Sequence, residues 1–176
     1  MIFKRVGPPA ADEYFSYYGG YVSLVGNGDL LQTMYLRLKE AESFYASIDA
    51  AKSLGRYAAH KWSIREVLGH IIDTERIMSY RALSFARGDH NALPGVDQDD
   101  FMRNSNFDER DWSGMIDEFV LMRRANILMF DNLPDDAWNR RGVASEHEIT
   151  VRALGYIVAG HEIHHSRVVA DRYLRT

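Results

Sequence analysis

"WSIREVLGHIIDTERIMSYRALSFAR", residues 62–87, is the stretch on which the fold turns. Ser63 and Glu66 stand in the S-x-x-E relation, in which each side chain satisfies a backbone donor of a helix's first turn. Beyond them Val67, Leu68, Ile71, Met78 and Phe85 gather on one broad side of a helical wheel. Gly88 follows, a residue that tolerates the left-handed conformation ending many helices. The stretch therefore predicts a helix from Ser63 to about Gly88. A narrow stripe along it is different in kind: Glu66, His70, Asp73, Thr74, Ile77 and Arg81 fall close together on the wheel. A polar stripe on a mostly apolar helix either faces solvent or lines an internal polar cavity, and both remain open at this point.

Working outward, Asp29 is placed as an N-cap ahead of apolar residues that recur at helical spacing from Leu30 to Ile48, which makes a first long helix. A third covers Trp112 to Leu133 and is ended by Pro134. Pro-Asp-Asp-Ala-Trp after it reads as a short extra turn, and a fourth long helix runs from Thr150 to about Tyr173. Residues 88 to 110 carry turn formers and acids without sustained periodicity, a connection long enough to carry the chain back along the bundle. Residues 1–28 form a short helical or irregular lead-in; the glycines at 19, 20, 26 and 28 lack the preceding strand and Lys-Ser/Thr ending of a phosphate loop. With no convincing strand, the expectation is one all-α domain over 1–176, a four-helix bundle with a long crossover between helices two and three.

Composition narrows the function. The 21 Lys and Arg residues are scattered among 25 acids, giving a net charge of −4, so no basic surplus exists to neutralise a nucleic-acid backbone. Cysteine is absent, which removes thiolate metal sites and a cysteine nucleophile together. Any metal must therefore use His, Asp or Glu. No segment approaches the roughly 20 apolar residues that span a bilayer, and the N-terminal residues lack the apolar stretch of a signal peptide, so the expectation is a cytoplasmic protein with no membrane partner.

The histidines carry the chemistry. In "YIVAGHEIHHSR", residues 156–167, His161 and His165 straddle the middle of the apolar face, His164 lies at its edge and Glu162 on the opposite flank. Two imidazoles one turn apart on a buried face need partners, either hydrogen-bonding groups or a shared metal ion, which suits this spacing. If the stripe on helix two faces inward, His70 completes three imidazoles from two helices and leaves a coordination position open for water or substrate. The letters HExxH also fit a zinc-protease helix. Against that, Val168 stands where such enzymes commonly turn the chain at glycine, Asp171 points away on a continuing helix, and no strand is available to line a peptide cleft.

The stretches EYFSYYGGYVSLVGNGDLL, KWSIREVLGHIIDTERIMSYRALSFARGD, LPGVDQDDF, EFVLMRRANILMFDNLPDDAW and ITVRALGYIVAGHEIHH together resemble the DinB-like superfamily of bacterial metal-binding four-helix bundles. The combination of W-S-x-x-E-V-L-x-H with H-x-x-H-H about 90 residues later is the specific part. The resemblance implies a bundle with a long crossover, commonly a homodimer, holding a divalent metal on His70, His161 and His165. Members include thiol S-transferases acting with low-molecular-weight thiols, a thiol-dependent isomerase and proteins described as metal-dependent hydrolases.

Two functions compete. In the first, an enzyme acts on a small-molecule substrate, and its metal lowers the pKa of a bound thiol or water to make a nucleophile near neutral pH. The thiol would come from a low-molecular-weight cosubstrate, and for hydrolysis Glu66, Asp73 or Glu162 would act as proton acceptors or as partners surrounding the ligands, Glu162 being disfavoured by its angle. In the second, a non-enzymatic metal-binding or stress-associated interaction protein uses the ion to stabilise its bundle. Three imidazoles suit several transition metals, Zn or Ni being the expected ion. Asp97, Asp99 and Asp100 in the crossover either border the pocket or are solvated loop charges.

Overall fold

Asp29 begins the first long helix by accepting the Gln32 N–H at 3.1 Å, and it also accepts the Val6 N–H at 3.1 Å, which ties the preceding chain to the helix start. The computed structural model describes residues 3–175, beginning with single 3-10 turns and a short helix α1, Gly19–Val25. Asp29 then caps α2, Leu30–Ala46. Ser63 and Glu66 close the expected reciprocal cap at 3.0 and 2.7 Å, opening α3, Ile64–Ala86. Past its end Gly88 adopts a φ of 81°. The connection that follows contains a short helix α4, Gln98–Arg103, capped by Asp97. Asp111 caps α5, Trp112–Asp131, and after the strands β1, Arg141–Ala144, and β2, His147–Thr150, the Thr150 hydroxyl caps α6, Val151–Val168. The last helix continues as a π turn over Val169–Tyr173.

The fold is an all-α four-helix bundle made by α2, α3, α5 and α6. In it α2 and α3 each pack against both α5 and α6. The interior is closed by Leu30, Leu68, Met115, Phe119, Phe130 and Tyr156, all essentially without solvent contact. Two ion pairs are built into this core. Glu75 of α3 receives Arg123 of α5 through three hydrogen bonds of 2.7–2.9 Å, and Glu162 of α6 receives Arg37 of α2 at 2.8 and 3.3 Å.

The structure departs from the expectation of no strand. β1 and β2 form a two-stranded antiparallel hairpin in which Arg141 faces Thr150 and Ala144 faces His147. Its two-residue turn is Ser145-Glu146, both at positive φ (51° and 68°). Such turns are recognised in sequence by Asn-Gly or Asp-Gly, and Ser-Glu is a strained substitute that carries no such signal. The hairpin also fastens the crossover: Leu93 donates its N–H to Val143 O at 2.9 Å and accepts from Ser145 N at 3.1 Å.

The lead-in is likewise more ordered than its composition suggests. α1 packs along α6, and the two approach so closely at Gly160 that a Cβ there would collide with the Tyr21 carbonyl. Glycine in the middle of α6 lets the backbone of α1 lie directly against it. That approach sets the Tyr21 ring against α6.

Candidate functional site

His70 on α3 and His161 and His165 on α6 converge. One ring nitrogen from each lies within 4.8 Å of the other two, with the Nε2 atoms of His70 and His161 3.0 Å apart. The cause is local. His70 sits on the second turn of α3, which packs closely on α6, and i,i+4 spacing puts His161 and His165 one above the other on the facing surface. His70 and His161 are buried and His165 is half-buried. The Trp62 ring tilts over His70 at 4.9 Å between centroids, and the edge of Tyr21 meets His161 at 5.3 Å.

Burial sets the protonation state. It pushes His70 down to about 4 and His165 to about 3, and it holds His161 well below the ordinary imidazole range, reinforced by the neighbouring histidines. Three neutral imidazoles facing one another present lone pairs to a common point. That donor set fits a divalent transition metal of the kind bound by nitrogen ligands.

Beside His70 and His161 a cavity of about 230 Å³ opens between α3, α1 and α4. Its wall includes Asp73, Thr74, Ile77 and Arg81, the members of the polar stripe on α3 beyond His70. The stripe thus lines an internal cavity. Tyr17, Tyr18 and Tyr21 close one side and Phe101 and Met102 of α4 another.

The sequence model of the DinB superfamily matches residues 35–169. The chain belongs to that superfamily. Among solved structures its fold is similar to that of YfiT from Bacillus subtilis, described as a probable metal-dependent hydrolase with an unusual four-helix bundle topology; the TM-score is 0.67, with 17% sequence identity over 96% of this chain and 94% of that one. No curated protein matches the sequence.

In this DinB-superfamily chain the carboxylates singled out in the sequence have separate fates. Asp73 lines the cavity and is half-buried, and desolvation raises its carboxyl above the ordinary range, against the opposing pull of Arg76 and Arg110. Glu66 is occupied by the Ser63 cap and by Arg56 at 2.5 Å, and Glu162 by Arg37 and by Ser166, whose hydroxyl donates at 2.8 Å. Neither hydrogen-bonds to an imidazole among the described residues. His164 is half-buried against Tyr21 and lies outside the three-nitrogen group. Asp97, Asp99 and Asp100 are exposed; Asp97 caps α4, and it is Gln98, Phe101 and Met102 of that helix that reach the cavity.

Three features of the site lay beyond the sequence reading. Tyr21 and its neighbours sit in the lead-in, where glycines obscured the helix. The Glu75–Arg123 pair joins residues 48 positions apart, either of which alone resembles a surface charge. Trp62, the first letter of the W-S-x-x-E-V-L-x-H motif, packs obliquely on His70, which gives that letter a physical role.

Proposed function

We propose that His70, His161 and His165 hold one divalent transition metal, zinc or nickel, and that the protein is a metal-dependent enzyme acting on a small molecule bound in the adjoining cavity. The observation that carries this reading is the meeting of three neutral imidazole nitrogens, two buried and one half-buried, within 4.8 Å at the edge of that cavity. A metal held there supplies Lewis acidity, lowering the pKa of a water or of a thiol cosubstrate at neutral pH.

The chain's own residues do the rest. His70 and His161 form part of the cavity wall, so the reacting end of a substrate is held next to them, and Tyr21 and Trp62 restrict water around the rings. Asp73 stands one helical turn from His70 on the same wall, with its carboxyl shifted toward neutrality by burial. It takes the proton from the attacking water or thiol. This favours hydrolysis or thiol transfer over a purely structural ion, since a closed structural site would have no cavity beside it. The description of YfiT as a probable hydrolase supports the same reading.

The test is metal content of protein purified without an affinity tag, in single alanine variants. His70→Ala, His161→Ala and His165→Ala each lose most of the metal and His164→Ala retains it; full retention in His161→Ala or His70→Ala overturns the assignment. A screen of esters, amides and thiol–electrophile pairs then separates hydrolase from transferase. The family resemblance also supports a homodimer, for which α5 offers Leu121 and Leu128, both exposed and two turns apart. Sedimentation at micromolar concentration as one 20.2 kDa species counts against it.

A further inference from the structure

Among the described residues three arginines are buried, and two of them have either a counter-charge or a full ring of oxygen acceptors. Arg123 is paired with Glu75. Arg65 has no carboxylate partner but is surrounded by acceptors: Ser53 Oγ and the carbonyls of Ala50, Asp108 and Arg110, at 2.6–3.1 Å. Arg81, only 4% exposed, is the exception. Its guanidinium donates to Pro94 O at 2.7 Å and Ser145 Oγ at 3.1 Å, with the Met78 sulfur at 3.6 Å. Among the described residues it has no carboxylate partner, and it lines the cavity that adjoins the three histidines. Burial without a counter-charge lowers its pKa, only partly offset by the nearby Tyr18 hydroxyl.

A buried guanidinium is costly without an anion, and its remaining N–H groups form charge-assisted hydrogen bonds to the oxygens of a carboxylate or phosphate. We propose that Arg81 recognises an anionic group, a carboxylate or a phosphate, on the small molecule that enters this cavity. The Pro94 and Ser145 contacts take both hydrogens of Nη2 and fix the guanidinium from the crossover and the hairpin turn, leaving Nε and Nη1 to donate singly to the ligand's oxygens. Geometry sets the ligand's length. Arg81 follows His70 by eleven residues, which returns it to the same face of α3 after an axial rise of roughly 16 Å, and helix side chains lean toward the N-terminus. Both side chains lean the same way, so the guanidinium and the His70 imidazole are separated by a distance on the order of 10–15 Å. Tyr18, Tyr21, Ile77 and Phe101 give the same cavity an apolar and aromatic part suited to an alkyl or aryl body, with Asp73 and Thr74 as its polar part on α3. The ligand so defined is an extended molecule, anionic at one end and reactive at the other.

This inference rests on reading the cavity as the substrate pocket, and its test is kept separate from the metal. Calorimetric titration of the full chain would use 4-phenylbutyrate, phenyl phosphate and the neutral 4-phenylbutyramide as probes, before and after removal of metal by a chelator. At least one anion is expected to bind tenfold or more tightly than the amide in both preparations, and comparison of the two anions tells carboxylate from phosphate. Arg81→Gln is expected to remove that preference while leaving amide affinity and metal content unchanged. Equal affinity for amide and anions, absence of binding by any probe, or persistence of the preference in Arg81→Gln overturns the proposal. So does its disappearance on metal removal, which would put the anion on the metal. If Arg81→Gln fails to fold, the wild-type comparison still decides. Loss of metal in His161→Ala without loss of anion preference supports both readings; metal retained there with the preference intact overturns only the metal centre.

Discussion

His70 and His161, 91 positions apart in the chain, bring their Nε2 atoms to 3.0 Å. Only one proton can lie between two such atoms, so at least one imidazole offers a lone pair, and the His165 ring stands beside them, 4.4 Å from that of His161. All three pKa values are lowered by burial, His70 to about 4 and His165 to about 3. The unfolded chain, with imidazoles near the ordinary 6.5, binds more protons than the folded one between these values. The stability they contribute is therefore complete above about pH 6.5 and is lost as pH falls toward 4. Metal-stripped protein should show a urea midpoint that declines steadily over this window, and the His70→Ala/His165→Ala double variant should flatten the decline. A flat midpoint from pH 7 to 4.5 in the stripped wild type contradicts it.

Metal should raise the thermal midpoint at neutral pH, because an ion that binds only the folded arrangement stabilises it by mass action. The increment should disappear on chelation, and also on acidification, since protonated imidazole cannot ligate. Differential scanning with and without zinc at pH 7.5 and 5 measures both; an equal increment at the two pH values would be inconsistent with histidine ligands.

Among the described residues Asp73 has no arginine clamp of the kind that occupies Glu66 and Glu162, which leaves its carboxylate free to exchange protons. Asp73→Asn should lower turnover of an ester probe such as p-nitrophenyl acetate by about 10²-fold or more, the usual scale for general base catalysis. Metal content should not change. Unaltered turnover would remove Asp73 from the mechanism.

The buried Glu75–Arg123 pair clamps α3 to α5, with Asn126 adding a third donor at 3.0 Å. Removing one partner strands a charge in the core, so Arg123→Met should cost about 3–5 kcal/mol, while Glu75→Leu with Arg123→Met should recover much of it. Urea unfolding of the three variants is the measurement. A double variant no more stable than the worse single one would show that the pair supplies something an apolar contact cannot.

Much of this architecture was readable from local signals. Asp29, Ser63–Glu66 and Thr150 mark helix starts because a cap is a property of a few consecutive residues, and each begins a helix where expected. His161 and His165 were legible because helical spacing translates directly into a shared face. The hairpin was hidden by its Ser145-Glu146 turn, and the choice between a helical and an irregular lead-in was left open by the glycines within it; the contact with α1 is made by Gly160 on α6. Whether the α3 stripe faced solvent or a cavity was undecidable from periodicity, since a wheel orders residues around an axis without saying what stands opposite. The cavity depends on α1 and α4, each of seven residues or fewer and each placed by long-range packing.

Glu162 offers the clearest separation of motif from mechanism. In a zinc protease the Glu of HExxH is the general base, and its neutralisation abolishes turnover while leaving the fold intact. Here the side chain is 1% exposed, Oε1 accepts from Arg37 Nη2 and Ser166 Oγ at 2.8 Å each, and Arg37 continues to Glu40 on its own helix. The carboxylate fastens α6 to α2, and fastening is a stability role. Glu162→Gln keeps the shape but removes the charge opposite Arg37, so it should cost about 1–3 kcal/mol of stability. When Glu162 is neutralised, Arg37 is partly exposed and keeps Glu40, whereas removing Arg37 leaves the buried Glu162 carboxylate without its counter-charge and should cost more; the two changes combined should be less than additive. Metal content and turnover of the ester probe should match the wild type at temperatures where both are folded. Turnover lost from Glu162→Gln with an unchanged urea midpoint would instead make Glu162 the base and restore the protease-like reading of the helix.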